Sequence, residues 1–128
     1  MDCDWHNGVM PRTTPSNIES LPPNGIFVFG SNREGAHGAG AAYTAVIRFG
    51  AIMGVGEGLQ GQSYGLPTME GIEEFRLAAG RFVEFARSRP DLEFWLTKVG
   101  CGIAGYAEDD VRPMFVDAPE NVIKPPGW

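Results

Sequence analysis

The chain has 128 residues, of which 43% are hydrophobic and 20% charged, and a formal net charge of −6 from ten Lys and Arg against sixteen Asp and Glu. This length predicts one domain that folds without disulfides or a structural metal, and no apolar run reaches the roughly 20 residues needed to span a bilayer. The acidic balance argues against sequence-independent nucleic-acid binding, because that binding depends on cations that neutralise phosphates.

The first 24 residues are predicted to form an irregular arm. They are rich in Pro, Asn, Asp and Thr and hold few large apolar side chains, so they bury too little surface to offset their ordering entropy. Residues 25–128 are predicted to form a single α/β domain. It opens with the β-branched and aromatic run 26–29, which predicts a strand buried on both faces.

A glycine-rich loop over residues 30–40 follows this strand and leads into a predicted helix that ends near Gly50. Ten of the 18 glycines lie between residues 30 and 65, where an average composition would place about two or three. Five of them fall within residues 50–62 and predict a looped excursion, since each interior glycine destabilises a helix by about 1 kcal/mol. Residues 63–68 then predict a short strand that ends at a proline.

The second half of the domain repeats the order of strand, glycine loop and helix. Apolar residues at steps of three and four predict a helix over 72–86, and residues 92–99 predict a strand. A second glycine loop occupies 100–106, and a helix with an acidic N-terminus is predicted over 108–118. A short strand is predicted at 122–123.

The two glycine loops predict an anion site. A buried strand that runs through glycines into a helix directs backbone N–H groups and the helix dipole at an anion, and two such loops facing one crevice suit a diphosphate. Neither the G-K-[ST] ending of a Walker motif nor a complete G-x-G-x-x-G fingerprint occurs, which disfavours kinases, ATPases and ordinary Rossmann enzymes. The alternative is that the glycines serve only as tight turns.

Three stretches of the sequence resemble the macro domain superfamily of ADP-ribose binders, in the divergent small form found in bacterial and phage genomes. They are VFGSN at 28–32, HGAGAA at 37–42 and KVGCGIAGY at 98–106, and the resemblance extends over about residues 25–118. It implies a three-layer α/β/α sandwich with a mixed sheet, in which Asn32 contacts the distal ribose. The ligand-binding residues that it implies lie on the two loops: Gly30, Ser31, Asn32, Gly38, Ala39, Gly40, Gly100, Cys101, Gly102, Ile103, Ala104, Gly105 and Tyr106.

The sequence departs from the hydrolytic members that it resembles. The terminal ADP-ribose glycohydrolase branch is similar in the Gly-Cys-Gly-hydrophobic run, but its catalytic aspartate follows that run, where this chain has Ala104. Other hydrolytic macro domains carry an aspartate in the first loop, where Ala39 and Ala41 stand. Binding of ADP-ribose or a related NAD-derived nucleotide diphosphate is therefore favoured over catalysis.

Two alternatives remain. The first is an ADP-ribosyl glycohydrolase in which another residue replaces the usual acid, with His37, Lys98, Asp109 and Asp110 as candidates. Against that, a loop histidine is more often polar surface, and acids at a helix N-terminus are explained by capping. The second alternative is a partner-binding protein without a nucleotide ligand.

The remaining aromatic, histidine and cysteine residues predict how a ligand is stacked and whether a metal is bound. Tyr106 is the best candidate for stacking on the ligand. The spacing of Cys3, His6, His37 and Cys101 fits no zinc site, so no metal or cofactor is expected. Without a Cys-x-x-Cys pair or a secretory signal, the sequence predicts a reduced, cytoplasmic protein. Its expected partner is ADP-ribose or an ADP-ribosylated macromolecule, with nucleic acid only as a carrier of that group and no membrane involved.

Overall fold

The computed structural model describes residues 13–128, which contain a five-stranded mixed sheet. The strands are β1 (Gly25–Ser31), β2 (Gly58–Gln60), β3 (Ser63–Pro67), β4 (Glu93–Leu96) and β5 (Val122–Ile123), in the spatial order β2-β3-β1-β4-β5. β3, β1, β4 and β5 run parallel, and β2 pairs antiparallel with β3 at one edge. The predicted α/β class with a mixed sheet is confirmed.

Three α-helices connect the strands. α1 (Gly40–Arg48) follows β1, α2 (Ile72–Ser88) follows β3, and α3 (Glu108–Val111) follows β4. The helix predicted over 108–118 is broken, because α3 has only four residues and passes into a 3-10 turn over Arg112–Phe115. Pro113 accounts for this change, since it has no N–H to donate and cannot continue the α-helical hydrogen bonds.

β1 lies at the centre of the sheet and contributes to two apolar clusters. Ile26 and Val28 belong to the larger cluster, which α2 covers, whereas Phe27 and Phe29 belong to a smaller cluster with α1. All four side chains are at most 4% exposed. Because neighbouring residues of a strand point to opposite faces, this division confirms the prediction that β1 is buried on both faces.

α2 provides the main apolar contact with the sheet. Its buried residues are Phe75, Ala78, Ala79, Phe82, Val83 and Ala86. The ring of Phe82 lies 5.5 Å from that of Phe94 on β4 and 6.1 Å from that of Phe115, measured between centroids. The helical periodicity read from the sequence is confirmed and extends two residues beyond the predicted end.

The arm is attached to the sheet over its described part, residues 13–24. The backbone N–H of Thr14 donates to the carbonyl of Lys124 at 2.8 Å, and its hydroxyl donates to the carbonyl of Ile123 at 2.8 Å. Ile18 is buried in the smaller apolar cluster. The composition of the arm predicts a weaker attachment to the sheet than the structure shows. The backbone carbonyls of β5 and the residue after it, which accept hydrogen bonds from Thr14, cannot be read from composition. Residues 1–12 of the predicted arm lie outside the described residues.

We expect the free energy of unfolding to fall as the pH rises from about 10 to about 12. Burial, and secondly the nearby Glu57 carboxylate, raise the pKa of Tyr64 to about 12. The phenol ionises near pH 10 in the unfolded chain, so over this range the unfolded state loses a proton that the folded state keeps. Urea titrations across this range measure the decline, and Tyr64→Phe should reduce it. Identical profiles for both proteins would contradict the assignment.

Candidate functional site

A cleft of about 350 Å³ opens beyond the carboxyl ends of β1, β3 and β4. Since β1 and β4 are parallel neighbours, the glycine loops that follow them reach the same cleft, as the sequence predicted for parallel strands. The lining residues come from these loops and from the strand ends: Gly30, Ser31, Asn32, Ala36, Gly38, Ala39, Gly40, Ala41, Ala42, Thr68, Met69, Thr97, Lys98, Val99, Gly100, Gly102, Ile103 and Ala104.

The first loop leaves a run of backbone N–H groups free. Asn32 organises its beginning, because the side-chain oxygen accepts the N–H of Ala36 at 2.8 Å and the carbonyl accepts that of Gly35 at 3.0 Å. The N–H groups of residues 38–42 have no acceptor within the described part of the chain. The first turn of α1 also carries no acidic side chain, so the dipole of this helix is not neutralised at its N-terminus.

The second loop is a tight turn with a similar exposed edge. The N–H of Tyr106 donates to the carbonyl of Gly100 at 2.8 Å, and that of Gly105 donates to Gly102 at 3.0 Å. The N–H groups of residues 102–104 have no acceptor among residues 13–128. Ile103 is 75% exposed, and its Cδ1 lies 3.8 Å from where a Cβ on Gly40 would stand. The two loops therefore meet at the mouth of the cleft.

The charge of the lining favours an anion. Among the lining residues within 13–128, Lys98 is the cation and none is a carboxylate. The lysine Nζ lies 3.0 Å from Glu108 Oε2, and Trp128 Nε1 donates to the other carboxylate oxygen at 3.0 Å. Hydrogen bonds from Trp128 and Lys98 hold the pKa of the Glu108 carboxyl below its ordinary value. The lysine is thus held at the rim by a partner that lies outside the lining.

A second cavity, of about 580 Å³, adjoins the cleft. The two share Ala41, Thr97 and Lys98 in their linings, so these residues lie between the two cavities or at their common border. Residues 13–18 of the arm form one wall of the second cavity, and the prolines that follow β5 form another. The arm therefore contributes to the surroundings of the cleft as well as to the sheet.

Ten of the thirteen ligand-binding residues predicted from the resemblance line the cleft, and Cys101, Gly105 and Tyr106 do not. The ring of Tyr106 packs against Phe75 at 5.7 Å between centroids, and the side chain belongs to the larger apolar cluster. Burial, and secondly the Glu108 carboxylate, raise the pKa of the Cys101 thiol, so the structure gives no sign of an activated nucleophile.

The four candidate catalytic residues lie in different surroundings. Lys98 lines the cleft, whereas His37 is 1% exposed and lies behind the first loop. Asp109 and Asp110 are exposed in α3, outside the lining, and Asp109 forms an ion pair with Arg112. The described structure does not bring these four side chains together at one point.

Sequence reasoning missed the threonines of the cleft. Thr68 follows β3 and Thr97 follows β4, and both line the cleft. Their hydroxyls donate to backbone carbonyls, from Thr68 to Ser31 at 3.3 Å and from Thr97 to Val28 at 2.8 Å. Both threonines directly follow predicted strands, which could have marked them as cleft residues. That prediction also requires knowing that β3 and β4 are parallel neighbours of β1.

No helix within residues 13–128 is both long enough and apolar enough to cross a membrane. The same residues contain no group of three His, Cys, Asp or Glu side chains placed to hold a metal ion. Comparison of the chain with protein-family models, curated proteins and solved structures gives no match.

Proposed function

We propose that the protein binds ADP-ribose or a related NAD-derived nucleotide diphosphate, held mainly by the backbone of the two glycine loops. The observation that carries the proposal is that two separate runs of N–H groups, at residues 38–42 and 102–104, border one cleft and have no acceptor within residues 13–128. Peptide N–H groups at a helix N-terminus and in a glycine turn attract phosphate oxygens. The described part of the lining adds no carboxylate that would repel a phosphate, and the charge of Lys98 is shared with Glu108.

The size of the open space supports a ligand larger than inorganic phosphate. Small-molecule sites commonly measure about 300 to 1,000 Å³, and the cleft of about 350 Å³ lies beside the cavity of about 580 Å³. A diphosphate on the glycine loops would leave room for a nucleoside on one side. Hydroxyl groups of Thr13, Ser16 and Thr44 line the adjoining cavity and can bind polar groups of a sugar or base.

A three-layer α/β/α architecture of the macro domain type is part of the proposal. It is supported by apolar clusters on both sides of β1 and by glycine loops at the carboxyl ends of two parallel strands. Binding is favoured over hydrolysis because Ala104 lines the cleft where the similar hydrolytic branch carries its acid. A glycohydrolase would have to act through Lys98, which lines the cleft, and through a carboxylate brought in from outside the lining.

We expect ADP-ribose to bind with micromolar affinity and AMP and adenosine to bind at least tenfold more weakly. AMP offers one phosphate and adenosine none, so neither can occupy both sets of N–H groups. A tenfold difference corresponds to only about 1.4 kcal/mol, which two charge-assisted contacts readily supply. Isothermal titration calorimetry with the three ligands measures the difference.

The same titrations distinguish the alternatives. Equal affinities for the three ligands would mean that the site recognises the nucleoside and not the diphosphate. If none of them produces heat, the protein does not bind this class of nucleotide, and the partner-binding alternative gains. Titrations of ADP-ribose at increasing salt concentration serve as a control. The affinity should fall only moderately, because the phosphates are held mainly by backbone N–H groups and less by exposed charges that salt screens.

A further inference from the structure

The glycine-rich residues 50–58, which we term the buttress, pack directly behind the first loop. The N–H of Gly54 donates to the carbonyl of Gly35 at 2.9 Å. A Cβ added to Gly56 would lie 2.2 Å from the carbonyl oxygen of Asn32, and one added to Gly35 would lie 2.4 Å from the carbonyl carbon of Gly54. The two backbones are thus in closer contact than any side chain would allow.

His37 joins the first loop to the buttress. Its Nε2 lies 2.9 Å from the carbonyl oxygen of Val55, and because a carbonyl only accepts, this nitrogen carries the hydrogen. The ring is 1% exposed and makes an edge contact with Phe29, with centroids 5.1 Å apart. Its Nδ1 is buried and has no partner within the described residues.

The acceptor of this hydrogen bond is itself fixed. The side-chain amide of Gln60 donates to the same Val55 carbonyl at 3.0 Å, and its oxygen accepts the N–H of Ile52 at 2.7 Å. Gln60 is 4% exposed and belongs to β2, which pairs with β3 in the sheet. A continuous set of contacts therefore runs from the sheet through Gln60 and Val55 to His37.

The residues that follow His37 have little else to hold them. Gly38 has no heavy atom within 4 Å of the position that a Cβ would take, and residues 38–40 are all exposed. Glycine segments lose more conformational entropy on ordering than other segments, which would weaken ligand binding. A fixed residue immediately before this segment reduces that loss.

We infer that His37 is a positioning residue, whose hydrogen bond to Val55 orders the backbone of residues 38–40, at the entry to α1, for the ligand. The consequence for affinity rests on the proposed function, whereas the ordering of the loop does not. This role replaces the acid–base role considered for His37 from the sequence, because the ring faces the buttress and lies outside the lining of the cleft.

The test compares His37→Gln with His37→Asn. Both variants carry the same amide, but only the longer glutamine can place its nitrogen near the position of Nε2. NMR relaxation of the free protein measures the backbone order parameters of residues 38–40. We expect order parameters close to those of the parent protein for His37→Gln and clearly lower values for His37→Asn. ADP-ribose affinity should change less than about threefold for His37→Gln and fall at least tenfold for His37→Asn.

A control separates loop ordering from general destabilisation. Asn121→Leu removes three side-chain hydrogen bonds, to the carbonyls of Ala86, Arg89 and Leu92, and Asn121 precedes β5 at the opposite end of the sheet from the cleft. This variant should melt at a lower temperature with the order parameters of residues 38–40 unchanged. If His37→Asn does not fold, His37→Phe takes its place, since its ring fills similar space but cannot donate to Val55.

The outcomes also separate this inference from the proposed function. A parent protein that fails to bind ADP-ribose would refute the proposed function, while the order parameters would still decide the role of His37. If His37→Asn leaves the loop as ordered as in the parent protein, or if His37→Gln loosens it equally, the hydrogen bond to Val55 is not the positioning contact and the inference is wrong.

Discussion

Gly102→Glu should lower the affinity for ADP-ribose at least a hundredfold, or about 2.7 kcal/mol, without unfolding the domain. No heavy atom lies within 4 Å of the position of the new Cβ, and the residue does not need the left-handed backbone conformation. The fold should therefore accept the side chain. The added carboxylate would stand beside the free N–H groups of residues 102–104 and repel the phosphates that they are proposed to bind.

Gly80→Glu is the matched control for this variant. Gly80 is exposed on α2, outside the lining of the cleft, and it too has open space around its Cβ position. Both variants change the net charge equally, so a difference in affinity between them reports the location of the charge. Calorimetry measures affinity, and circular dichroism melts check the fold. Binding by Gly102→Glu as tight as that of the parent would exclude the second loop as the site.

Gly100→Ala should reduce the free energy of unfolding by about 2 to 5 kcal/mol. The residue has a φ of +78°, which costs an L-amino acid about 1 to 2 kcal/mol, and overpacking a core commonly costs about 1 to 3 kcal/mol more. The overpacking arises because the new Cβ would lie 2.3 Å from Cε2 of Phe75, a fully buried ring. Denaturant titration measures the loss.

Two further variants identify the cause of that loss. Gly102→Ala adds the same methyl group in the same loop without a steric neighbour, so its stability should change by less than about 1 kcal/mol. Gly100→Ala combined with Phe75→Leu should show a non-additive partial recovery relative to the two single variants, because the clashing ring edge is removed. A Gly100→Ala protein as stable as the parent would show that the loop moves freely away from Phe75.

The sequence predicted those elements whose apolar pattern is set by burial. The β-branched and aromatic run at 26–29 became the central strand, and the spacing in 72–86 became α2, since both patterns follow directly from contact with the core. The two glycine loops at one cleft were also predictable, because parallel strands place their carboxyl ends at the same edge of a sheet.

Other features depend on contacts between distant parts of the chain. β2 was not predicted, because Gly58 within it and Gly61 just after it are typical of a loop. The strand is stabilised by its pairing with β3, which the sequence alone does not show. The packing of Tyr106 on Phe75 was not predicted, because a tyrosine beside a glycine loop can face either a ligand or the core. The hydrogen bond between His37 and Val55 joins residues 18 apart in the sequence. It could not be predicted, because its acceptor is a backbone carbonyl, which every residue type has.

The close backbone contacts behind the first loop bear on how this domain tolerates sequence change. A Cβ at Gly35, Gly56, Gly61 or Gly65 would come within 3 Å of backbone atoms, and none of these four residues lines the cleft. By contrast, Gly38 and Gly102 border the cleft and have open space around them. Variation at these two positions is therefore largely uncoupled from the integrity of the scaffold, unlike variation at Gly100, which also lines the cleft but lies against Phe75. The surface of the cleft can be altered at Gly38 and Gly102 while the buttress stays fixed.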